Sequence, residues 1–302
     1  MNCPLVSIVM ATYNGERFLE AQMDSVLNQT YPAIEIIVVD DGSTDRTAEI
    51  LQSYASKHNH IQLHFAKDKN LGYIKNFERG CRLVKGDYIS FCDQDDVWHP
   101  DKTSALVKAI GNHSMAYSDA ELVDAQLQST GKLRSDIKNL RSYNNCLYFA
   151  LDNCVGGHAM MIKKELFVAA SPFPTEMPHD LWLAYASTLY NGLIYVPEAL
   201  VKWRDHGSNV TVGTKPDSEK LIETCRRLQI FHDFCRPDMV LERKVLRQLL
   251  QSYQPYPITN NFLRMMLYFK YGNYLMAMKK RNKLRKFFFS IKMLFRRRLH
   301  VA

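Results

Sequence analysis

Three carboxylates follow one apolar run of the sequence closely enough to share a metal ion. Asp93, Asp95 and Asp96 lie within four positions, directly after the apolar residues 88–92. Like charges at this spacing repel each other, and a hard divalent cation such as Mg²⁺ or Mn²⁺ relieves the repulsion while it keeps coordination positions for substrate phosphates. In an extended D-x-D segment the first and third side chains point to the same side, so Asp93 and Asp95 can hold one ion. The alternative is a solvated acidic loop.

A second acidic pair, Asp40 and Asp41, follows the apolar run 34–39 and precedes G-S-T. Taken alone, this segment fits a functional carboxylate pair and a helix cap equally well, because Asp and Ser side chains also accept hydrogen bonds from the first turn of a helix. The first apolar run is not followed by G-x-G-x-x-G, and the sequence contains no G-x-x-x-x-G-K-[ST]. Neither a Rossmann dinucleotide site nor a P-loop is therefore supported.

Both acidic segments occupy regular positions in a repeat of apolar runs and helical segments. Four β-rich runs have centres about 27 residues apart, the length of a strand plus a crossover helix, and they lie at 5–11, 34–39, 61–66 and 88–92. This rhythm predicts an α/β fold with a parallel sheet and right-handed crossovers. Ligands of such sheets bind at the carboxyl ends of the strands, so we expect the acidic segments at one edge.

The pattern becomes less regular after Pro100. It predicts a helix over 100–113, a strand near 115–118, a polar loop with one short helix over 124–145, a strand over 156–162, helices from Lys163 and over 180–190, and a strand near 193–196. An insertion as long as 124–145 is typical of a lid. Past Val212 a Lys-Pro-Asp segment breaks the chain and helical patterning follows. We therefore divide the chain into an α/β part, 1–212, and a helical part, 213–302.

Composition indicates an ordinary folded protein. Its 302 residues are 46% hydrophobic and 23% charged, which excludes disorder, collagen and a disulfide-dense miniprotein. The seven cysteines form no C-x-x-C pair, so we expect no disulfide framework or zinc finger, and a cytoplasmic location. We also expect no secretory signal and no spanning helix, because the uncharged stretch 181–197 has 17 residues and a bilayer needs about 20.

Four ordered blocks of the sequence resemble the family 2 glycosyltransferases of the GT-A fold. They are V-S-I-V-M-A-T-Y-N-G at 6–15, I-I-V-V-D-D-G-S-T-D at 36–45, N-L-G at 70–72 and G-D-Y-I-S-F-C-D-Q-D-D-V-W at 86–98. Later segments fit as well, at 156–160, 179–180 and 203–209. The resemblance covers roughly residues 4–212 and implies a mostly parallel central sheet with flanking helices. It also implies that a sugar is transferred from a nucleotide-sugar donor.

The resemblance implies roles for residues at matching positions. The end of the first strand binds the donor nucleobase in this family, which assigns Ala11 and Tyr13 to donor binding. The acid after the second strand, here Asp41, holds the base or ribose. The D-x-D acids, here Asp93 and Asp95, bind the Mn²⁺ or Mg²⁺ that bridges the donor diphosphate.

The resemblance also implies a catalytic residue. The general base of the family is an Asp at a helix start, usually preceded by another acid, and Asp180 matches it here with His179 before it. Asp180 would take the proton of the acceptor hydroxyl while that oxygen attacks the anomeric carbon. A single displacement inverts the anomeric configuration and needs no covalent nucleophile.

Three further residues are candidates with open alternatives. His206 matches the late histidine that some GT-A enzymes place near the metal or diphosphate, and a surface histidine is the alternative. Trp98 could form the floor of the donor sugar pocket or pack in the core. Gly157 allows the backbone to approach the sugar closely, and a plain turn fits equally.

The C-terminal region is strongly basic. From Arg243 onwards there are 15 Lys and Arg residues and no Asp or Glu, in a chain of net charge +8. Apolar residues over 263–278 and over 284–295 form one helical stripe each, opposite basic faces. Such helices lie in membrane interfaces and bind anionic leaflets, although the 263–278 stripe could instead dock on the body of the protein. No helix-turn-helix, RRM or zinc-finger signature is present, so we expect no nucleic acid partner.

Donor and acceptor are indicated only by the resemblance. The D-Q-D-D-V-W segment with N-F-E at 76–78 is similar to bacterial rhamnosyltransferases, which makes dTDP-rhamnose the first donor to test and leaves a UDP-hexose open. The acceptor would be a lipid-linked or growing surface saccharide at the inner face of the cell membrane. The alternative function is an inactive membrane-bound scaffold that binds nucleotide sugars. A phosphorylated receiver domain fits the spacing poorly.

Overall fold

The structure, a computed structural model, describes residues 3–66, 70–207, 216–254 and 258–295. Its strands are β1 (Val6–Thr12), β2 (Ile34–Asp40), β3 (Ile61–Phe65), β4 (Tyr88–Cys92), β5 (Val97–Trp98), β6 (Met115–Val123), β7 (Ser129–Leu133), β8 (Met160–Lys163) and β9 (Leu193–Arg204). Its helices are α1 (Leu19–Leu27), α2 (Thr47–Lys57), α3 (Tyr73–Cys81), α4 (Lys102–Ile110), α5 (Arg134–Ile137), α6 (Lys164–Ala170), α7 (His179–Ser187), α8 (Asp217–Phe234), α9 (Val240–Ser252), α10 (Ile258–Leu275) and α11 (Lys283–Lys292).

All nine strands form one sheet, in the order β3-β2-β1-β4-β8-β6-β9-β5, with β7 beside β6. The half built from β1 to β4 is parallel, as the spacing of apolar runs predicts. The other half is mixed, because β8 runs antiparallel to both β4 and β6 while β9 runs parallel to β6. The α/β fold class is therefore confirmed, and the sheet as a whole is less parallel than we expected.

Both faces of the central strands are buried, which explains why their sequences are nearly continuous apolar runs. In β1, Ile8 and Met10 point into one apolar layer, whereas Val9 and Ala11 point into the other. Gly80 of α3 lies so close to the sheet that a Cβ atom there would come within 2.4 Å of Val9 Cγ1. Helix α3 therefore packs directly onto β1 and β2 and fixes the loops that follow them.

The segment 124–145, which we expected to be a loop with one short helix, contains more regular structure. Strand β7 pairs antiparallel with β6, and the short helix α5 follows it directly. The pairing was hidden in the sequence because β7, S-T-G-K-L, is polar and exposed on four of its five positions. An edge strand of this kind carries no apolar alternation.

The C-terminal helices pack against the α/β part. The ring of Tyr185, on α7, stacks on that of Phe231, on α8, with 3.8 Å between ring centroids, and the Tyr185 hydroxyl donates to the Phe231 carbonyl oxygen at 2.6 Å. One hydrophobic cluster contains residues of both parts. The predicted boundary at 212/213 lies outside the described residues, so the division into two parts stays a prediction.

The two predicted apolar stripes of the C-terminal region have different environments. Most of the 263–278 stripe is buried or half-buried against the body, for example Leu267 and Leu275, although Met266 is exposed. The 263–278 stripe therefore docks on the body of the protein, which is one of the two alternatives given for it. The 284–295 stripe is largely exposed, with Phe288 and Phe295 the clearest cases. No helix in the described ranges has the length and apolar character needed to cross a membrane.

Candidate functional site

The loops after β1 and β2 are joined to each other by side-chain hydrogen bonds at the carboxyl edge of the sheet. Asp40 accepts from the Thr12 hydroxyl at 2.8 Å and from the backbone amides of Gly42 and Ser43 at 3.0 and 2.9 Å. The Asn14 side chain accepts from the Thr44 amide at 2.8 Å. Asp40 thus builds the loop after β2 and does not cap helix α2, which begins at Thr47, so the capping alternative is not borne out for this residue.

Asp41 orders the segment that leads into α3. Its carboxylate is buried and accepts from the backbone amides of Leu71, at 2.9 Å, and Gly72, at 2.8 Å. Of the two residues assigned to the nucleobase, Tyr13 is 47% exposed, whereas Ala11 is buried under the loop. The backbone amide of Asp41 donates to the Thr12 carbonyl oxygen at 2.9 Å, so Asp41 and Tyr13 both lie at the end of β1, and the donor-binding roles of Ala11, Tyr13 and Asp41 stay predictions.

Gln94, the middle residue of the D-x-D segment, ties that segment to the loop after β1. Its side-chain oxygen accepts from the Tyr13 amide at 2.8 Å, and its side-chain nitrogen donates to the Tyr13 carbonyl oxygen at 3.0 Å. A Cβ atom at Gly15 would lie 2.4 Å from the same Gln94 oxygen. Gln94 thereby holds the segment predicted to bind the nucleobase beside the segment predicted to bind the metal. The sequence analysis gave Gln94 no role.

A carboxylate–imidazole cluster lies directly after β4. Oxygen atoms of Asp93 and Asp96 and a ring nitrogen of His158 lie within 4.8 Å of one another, with Nδ1 of His158 3.6 Å from Asp96 and 3.8 Å from Asp93. Oδ2 of Asp96 is buried and has no hydrogen-bond partner among the described residues. The two carboxylates suit Mn²⁺ or Mg²⁺, the imidazole nitrogen is accepted more readily by a transition ion such as Mn²⁺, and the buried unpartnered oxygen of Asp96 is free to act as a ligand.

The electrostatics of this cluster reflect its crowding. Burial and the neighbouring charges of Asp95 and Asp180 raise the pKa of Asp93 to about 7. Its side chain is still 39% exposed, so water screens part of this effect. Burial also raises the pKa of Asp96 well above its usual range and lowers that of His158 to about 3. His158 is therefore a neutral imidazole at pH 7, with a lone pair available to a cation.

Asp95 has a different partner from Asp93. Nε2 of His206 lies 2.9 Å from its Oδ2, and Nε of Arg204 donates to its carbonyl oxygen at 2.6 Å. The late histidine is thus beside the D-x-D segment, as the resemblance implies. The structure groups Asp93 with Asp96 and His158, and Asp95 with His206, so the metal-binding roles of Asp95 and His206 stay predictions.

Asp180 is the second residue of α7, and its carboxylate accepts from the backbone amide of Leu181 at 2.6 Å. Burial raises its pKa to about 6, while hydrogen bonds from the backbone amides of Leu181 and Gly157 and the positive charge of Arg134 act in the opposite direction. Asp180 contributes to the raised pKa of Asp93, and both carboxylates contribute, after burial, to a Tyr73 pKa of about 12. Asp93, Asp180 and Tyr73 are therefore near neighbours at this edge of the sheet.

His179, the residue before Asp180, is enclosed by aromatic rings. Its ring centroid lies 4.4 Å from that of Phe77 and 5.2 Å from that of Phe91. Neither ring nitrogen has a hydrogen-bond partner within the described chain, and burial lowers its pKa to about 3. A Cβ atom on Gly157 would lie 2.9 Å from Nε2 of His179. His179 and Gly157 thus fix the start of α7, and the proposed contact of Gly157 with the sugar stays a prediction.

Trp98 lies in the core and not at the cleft surface. It is 3% exposed, and Nζ of Lys102 lies 3.0 Å from the centroid of its ring. Trp98 therefore packs in the core, and so little of its side chain is exposed that the structure does not support the donor-binding role. Lys102 is itself buried, and burial lowers its pKa well below its usual range.

The sequence analysis therefore found part of the cleft and missed part of it. It named Asp93, Asp95, Asp180 and His206, all of which the structure brings to one edge of the sheet. It named Asp96 among the three acids but gave it no ligand role, and it did not single out Gln94, His158, Tyr73 or Lys102, whose contacts arise only in the folded chain. The G-G-H segment at 156–158 was quoted for its glycines, and its histidine was the available signal.

Comparison with known proteins gives a consistent result. Residues 7–167 match the family model described as glycosyl transferase family 2. A glycosyltransferase of Rickettsia typhi is 30% identical over 217 residues, which are 69% of this chain and 66% of that protein. The putative glycosyltransferase EpsH of Bacillus subtilis is 33% identical over 140 residues, 45% of this chain and 39% of EpsH. The chain thus spans less than two thirds of these relatives.

Solved structures show the same fold at low sequence identity. The complex of S. aureus TarS 1–349 with UDP-GlcNAc superposes with a TM-score of 0.60 and 15% identity, covering 92% of this chain and 93% of that one. A mannosyltransferase of Pyrobaculum calidifontis in complex with GDP-Man and Mn²⁺ gives a TM-score of 0.54, also at 15% identity, covering 97% and 80%. These similarities establish the GT-A-type architecture of the chain.

Proposed function

This chain belongs to glycosyl transferase family 2, and on that basis we propose that it transfers a sugar from a nucleotide-sugar donor to an acceptor hydroxyl with inversion. The observation that carries the proposal is that Asp180 accepts from the backbone amide of Gly157, the residue before His158, whose ring nitrogen clusters with oxygens of Asp93 and Asp96 within 4.8 Å. A cation-binding cluster beside a carboxylate of raised pKa is what this reaction requires.

Asp180 acts as the general base in this proposal. Its carboxylate accepts the proton of the acceptor hydroxyl while that oxygen forms a bond to the anomeric carbon. The bond from the anomeric carbon to the diphosphate oxygen breaks, and its electron pair leaves with the nucleoside diphosphate. A pKa of about 6 leaves Asp180 ionised at pH 7 and makes it a stronger base than an ordinary carboxylate.

The residues available to a divalent cation are Asp93, Asp96 and His158, with Asp95 and His206 beside them. A bound Mn²⁺ or Mg²⁺ would supply neutralisation of the charge that develops on the leaving diphosphate. Arg204 holds the segment in place by donating from its backbone amide to Asp96 at 2.9 Å and from its side chain to the Asp95 carbonyl. Gln94 holds the same segment against Tyr13, the exposed aromatic proposed to contact the nucleobase.

The proposed donor and acceptor rest on the sequence resemblance and not on the geometry of the site. dTDP-rhamnose is the first donor to test, with a UDP-hexose as the second, and a lipid-linked or growing surface saccharide is the acceptor. The exposed stripe of α11, with its basic neighbours, supports peripheral association with an anionic membrane surface. The enzyme would then act at the cytoplasmic face of the cell membrane.

Replacement of the proposed base tests the function. The Asp180→Asn variant should lose about 10²-fold to 10⁴-fold in transfer rate, since general-base catalysis contributes that much. It should retain Mn²⁺-dependent binding of the nucleoside diphosphate, measured by calorimetry. Glu176→Gln, an exposed change just before α7, is the matched control and should keep wild-type activity.

Two outcomes would contradict the proposal. Full transfer activity in Asp180→Asn would remove Asp180 from the reaction. Metal-dependent donor binding without transfer of any of the tested sugars by the wild-type protein would favour the inactive scaffold.

A further inference from the structure

A second concave site lies in the C-terminal helices, separate from the acidic cleft. It is a cavity of about 380 Å³ between α8, the end of α9, α10 and α11. This volume is in the lower range of small-molecule sites. Four cationic side chains line it, Lys220, Arg227, Arg264 and Lys279, against one acid, Asp217. The composition of the lining therefore favours an anion.

Arg227 is the residue whose position most needs a ligand. Its Nε atom is buried and has no hydrogen-bond partner among the residues that the structure describes. Burial lowers its pKa, although the nearby carboxylates Asp152 and Glu223 act in the opposite direction. Lys138 engages Oδ1 of Asp152 at 2.5 Å, whereas Oδ2 of Asp152 is buried without a hydrogen-bond partner among the described residues; no hydrogen bond joins it to Arg227. A poorly solvated guanidinium without an acceptor is costly unless a ligand supplies one.

Aromatic rings lie beside two of the other cations of the cavity, whereas Lys220 lies 3.8 Å from Asp217. Arg264 is 2% exposed, and its guanidinium lies 4.9 Å from the ring centroid of Tyr253. Nζ of Lys279 lies 5.4 Å from the ring centroid of Phe289. Guanidinium groups present parallel donors that match the oxygens of a phosphate, and two of them on different helices can bind one phosphate from two sides.

We propose that this cavity binds a phosphate group, either as a soluble phosphate or phosphate ester or as the head of an anionic lipid. The lipid source has specific support, because Phe289 lines the cavity while Phe287 and Phe288, its neighbours on α11, are exposed. An amphiphile could thus place its phosphate in the cavity and its chain along the exposed face. That second step rests on the proposed membrane association, whereas the phosphate site itself does not.

The test compares Arg227→Gln with Arg226→Gln, an exposed arginine one position earlier on α8. Binding of inorganic phosphate is measured by calorimetry with EDTA present, so that no divalent cation holds phosphate at the acidic cleft. Binding to vesicles is measured in parallel, with phosphatidic acid, which carries a phosphate monoester, and with phosphatidylglycerol as the diester comparison. Arg227→Gln should weaken binding about tenfold or more, the loss expected for one charge-assisted hydrogen bond, and Arg226→Gln should not.

The arms separate the two sources and can overturn the proposal. An Arg227-dependent signal with inorganic phosphate identifies a soluble ligand, and one seen only with phosphatidic acid identifies a lipid. Equal binding by wild type and Arg227→Gln with both probes, or no binding by wild type to either, overturns the site. Arg227→Lys, which keeps the charge, should bind with intermediate affinity and serves if the glutamine variant does not fold. Mn²⁺-dependent binding of nucleoside diphosphate, measured separately, shows whether the donor site is intact.

Discussion

Single side chains in this protein connect segments that lie far apart in the chain. Gln94 does so by pairing with both backbone polar groups of Tyr13, which only an amide side chain can do with one donor and one acceptor. His158 does so by bringing an imidazole from the G-G-H turn to Asp93 and Asp96. The cleft therefore depends on a few contacts that can be changed one at a time.

Gln94→Glu should weaken donor binding without unfolding the protein. The carboxylate keeps the size of the side chain but cannot donate to the Tyr13 carbonyl, and it adds a negative charge beside Asp93 and Asp95. We expect the KM for the donor to rise about threefold to tenfold, because an exposed hydrogen bond contributes about 0.5–1.5 kcal/mol and the added charge repels the donor diphosphate. Steady-state kinetics with Gln52→Glu, the same change on the exposed face of α2, provide the control. A KM within twofold of wild type would show that Gln94 does not position the loop.

His179→Leu should change how stability depends on pH. The folded-state pKa of His179, about 3, lies below the value of about 6.5 in the unfolded chain, so acidification through this range protonates the unfolded state first. The free energy of unfolding of wild type therefore falls by up to about 1.4 kcal/mol per pH unit because of His179, and the variant lacks this loss.

Urea unfolding of both proteins between pH 7.5 and pH 4 measures this difference. The two curves should separate only below about pH 6.5, in favour of His179→Leu. His60→Leu, which changes an exposed histidine, should run parallel to wild type. Parallel curves for His179→Leu would mean that the imidazole is not held neutral.

The contact between helix α3 and the sheet is the clearest packing constraint among the elements. Gly80→Ala would normally favour a helix, but here the new methyl would lie 2.4 Å from Val9 Cγ1 and 3.1 Å from Val39 Cγ2. We expect the free energy of unfolding to fall by about 1–3 kcal/mol, as for other overpacked cores.

Gly272→Ala on α10 is the matched control for Gly80→Ala. The nearest atom to its new Cβ is the flexible end of Met276, at 2.9 Å, so stability should change by less than about 1 kcal/mol. Equal effects of the two substitutions in urea unfolding would contradict close packing of α3 on β1.

Elements with strong periodicity were predictable from the sequence, and elements defined by their partners were not. The parallel strands β1, β2 and β4 are apolar on both faces, so their runs and the acids that follow them could be recognised. Strand β7 is polar and exists because it pairs with β6. The grouping of Asp96 with His158 depends on the return of β8 antiparallel to β4, which no local pattern encodes.

The C-terminal region combines an excess of basic residues with a group of exposed apolar residues. Helices α10 and α11 expose a joint aromatic face, whose members are Phe262, Met266, Phe269, Leu284, Phe287, Phe288 and Phe295. The Phe269 and Phe287 rings, one from each helix, are 5.4 Å apart between centroids, so the exposed residues of the two helices meet at this pair. A patch of this kind next to basic residues is typical of a membrane-binding surface.

The double variant Phe287→Ser/Phe288→Ser should reduce membrane binding. Wild type should sediment with vesicles that contain phosphatidylglycerol, and less so as salt is raised. Loss of two phenylalanine side chains that would each bury part of their surface in the membrane should weaken this binding about tenfold or more. Val240→Ser/Leu241→Ser removes a similar exposed pair from α9 and should leave binding unchanged. Equal loss in both double variants would rule out the aromatic face as the contact.

The stacking of Tyr185 on Phe231 has a practical consequence for anyone who shortens this protein. Helix α7 starts at the proposed base and has its other end covered by α8, with Trp182 4.5 Å from Phe234 between ring centroids. A truncated version that stops before α8 would expose these rings to water and remove the support behind Asp180. We therefore expect such a fragment to aggregate on expression, so that any miniaturised catalyst must keep α8 or replace the rings it covers.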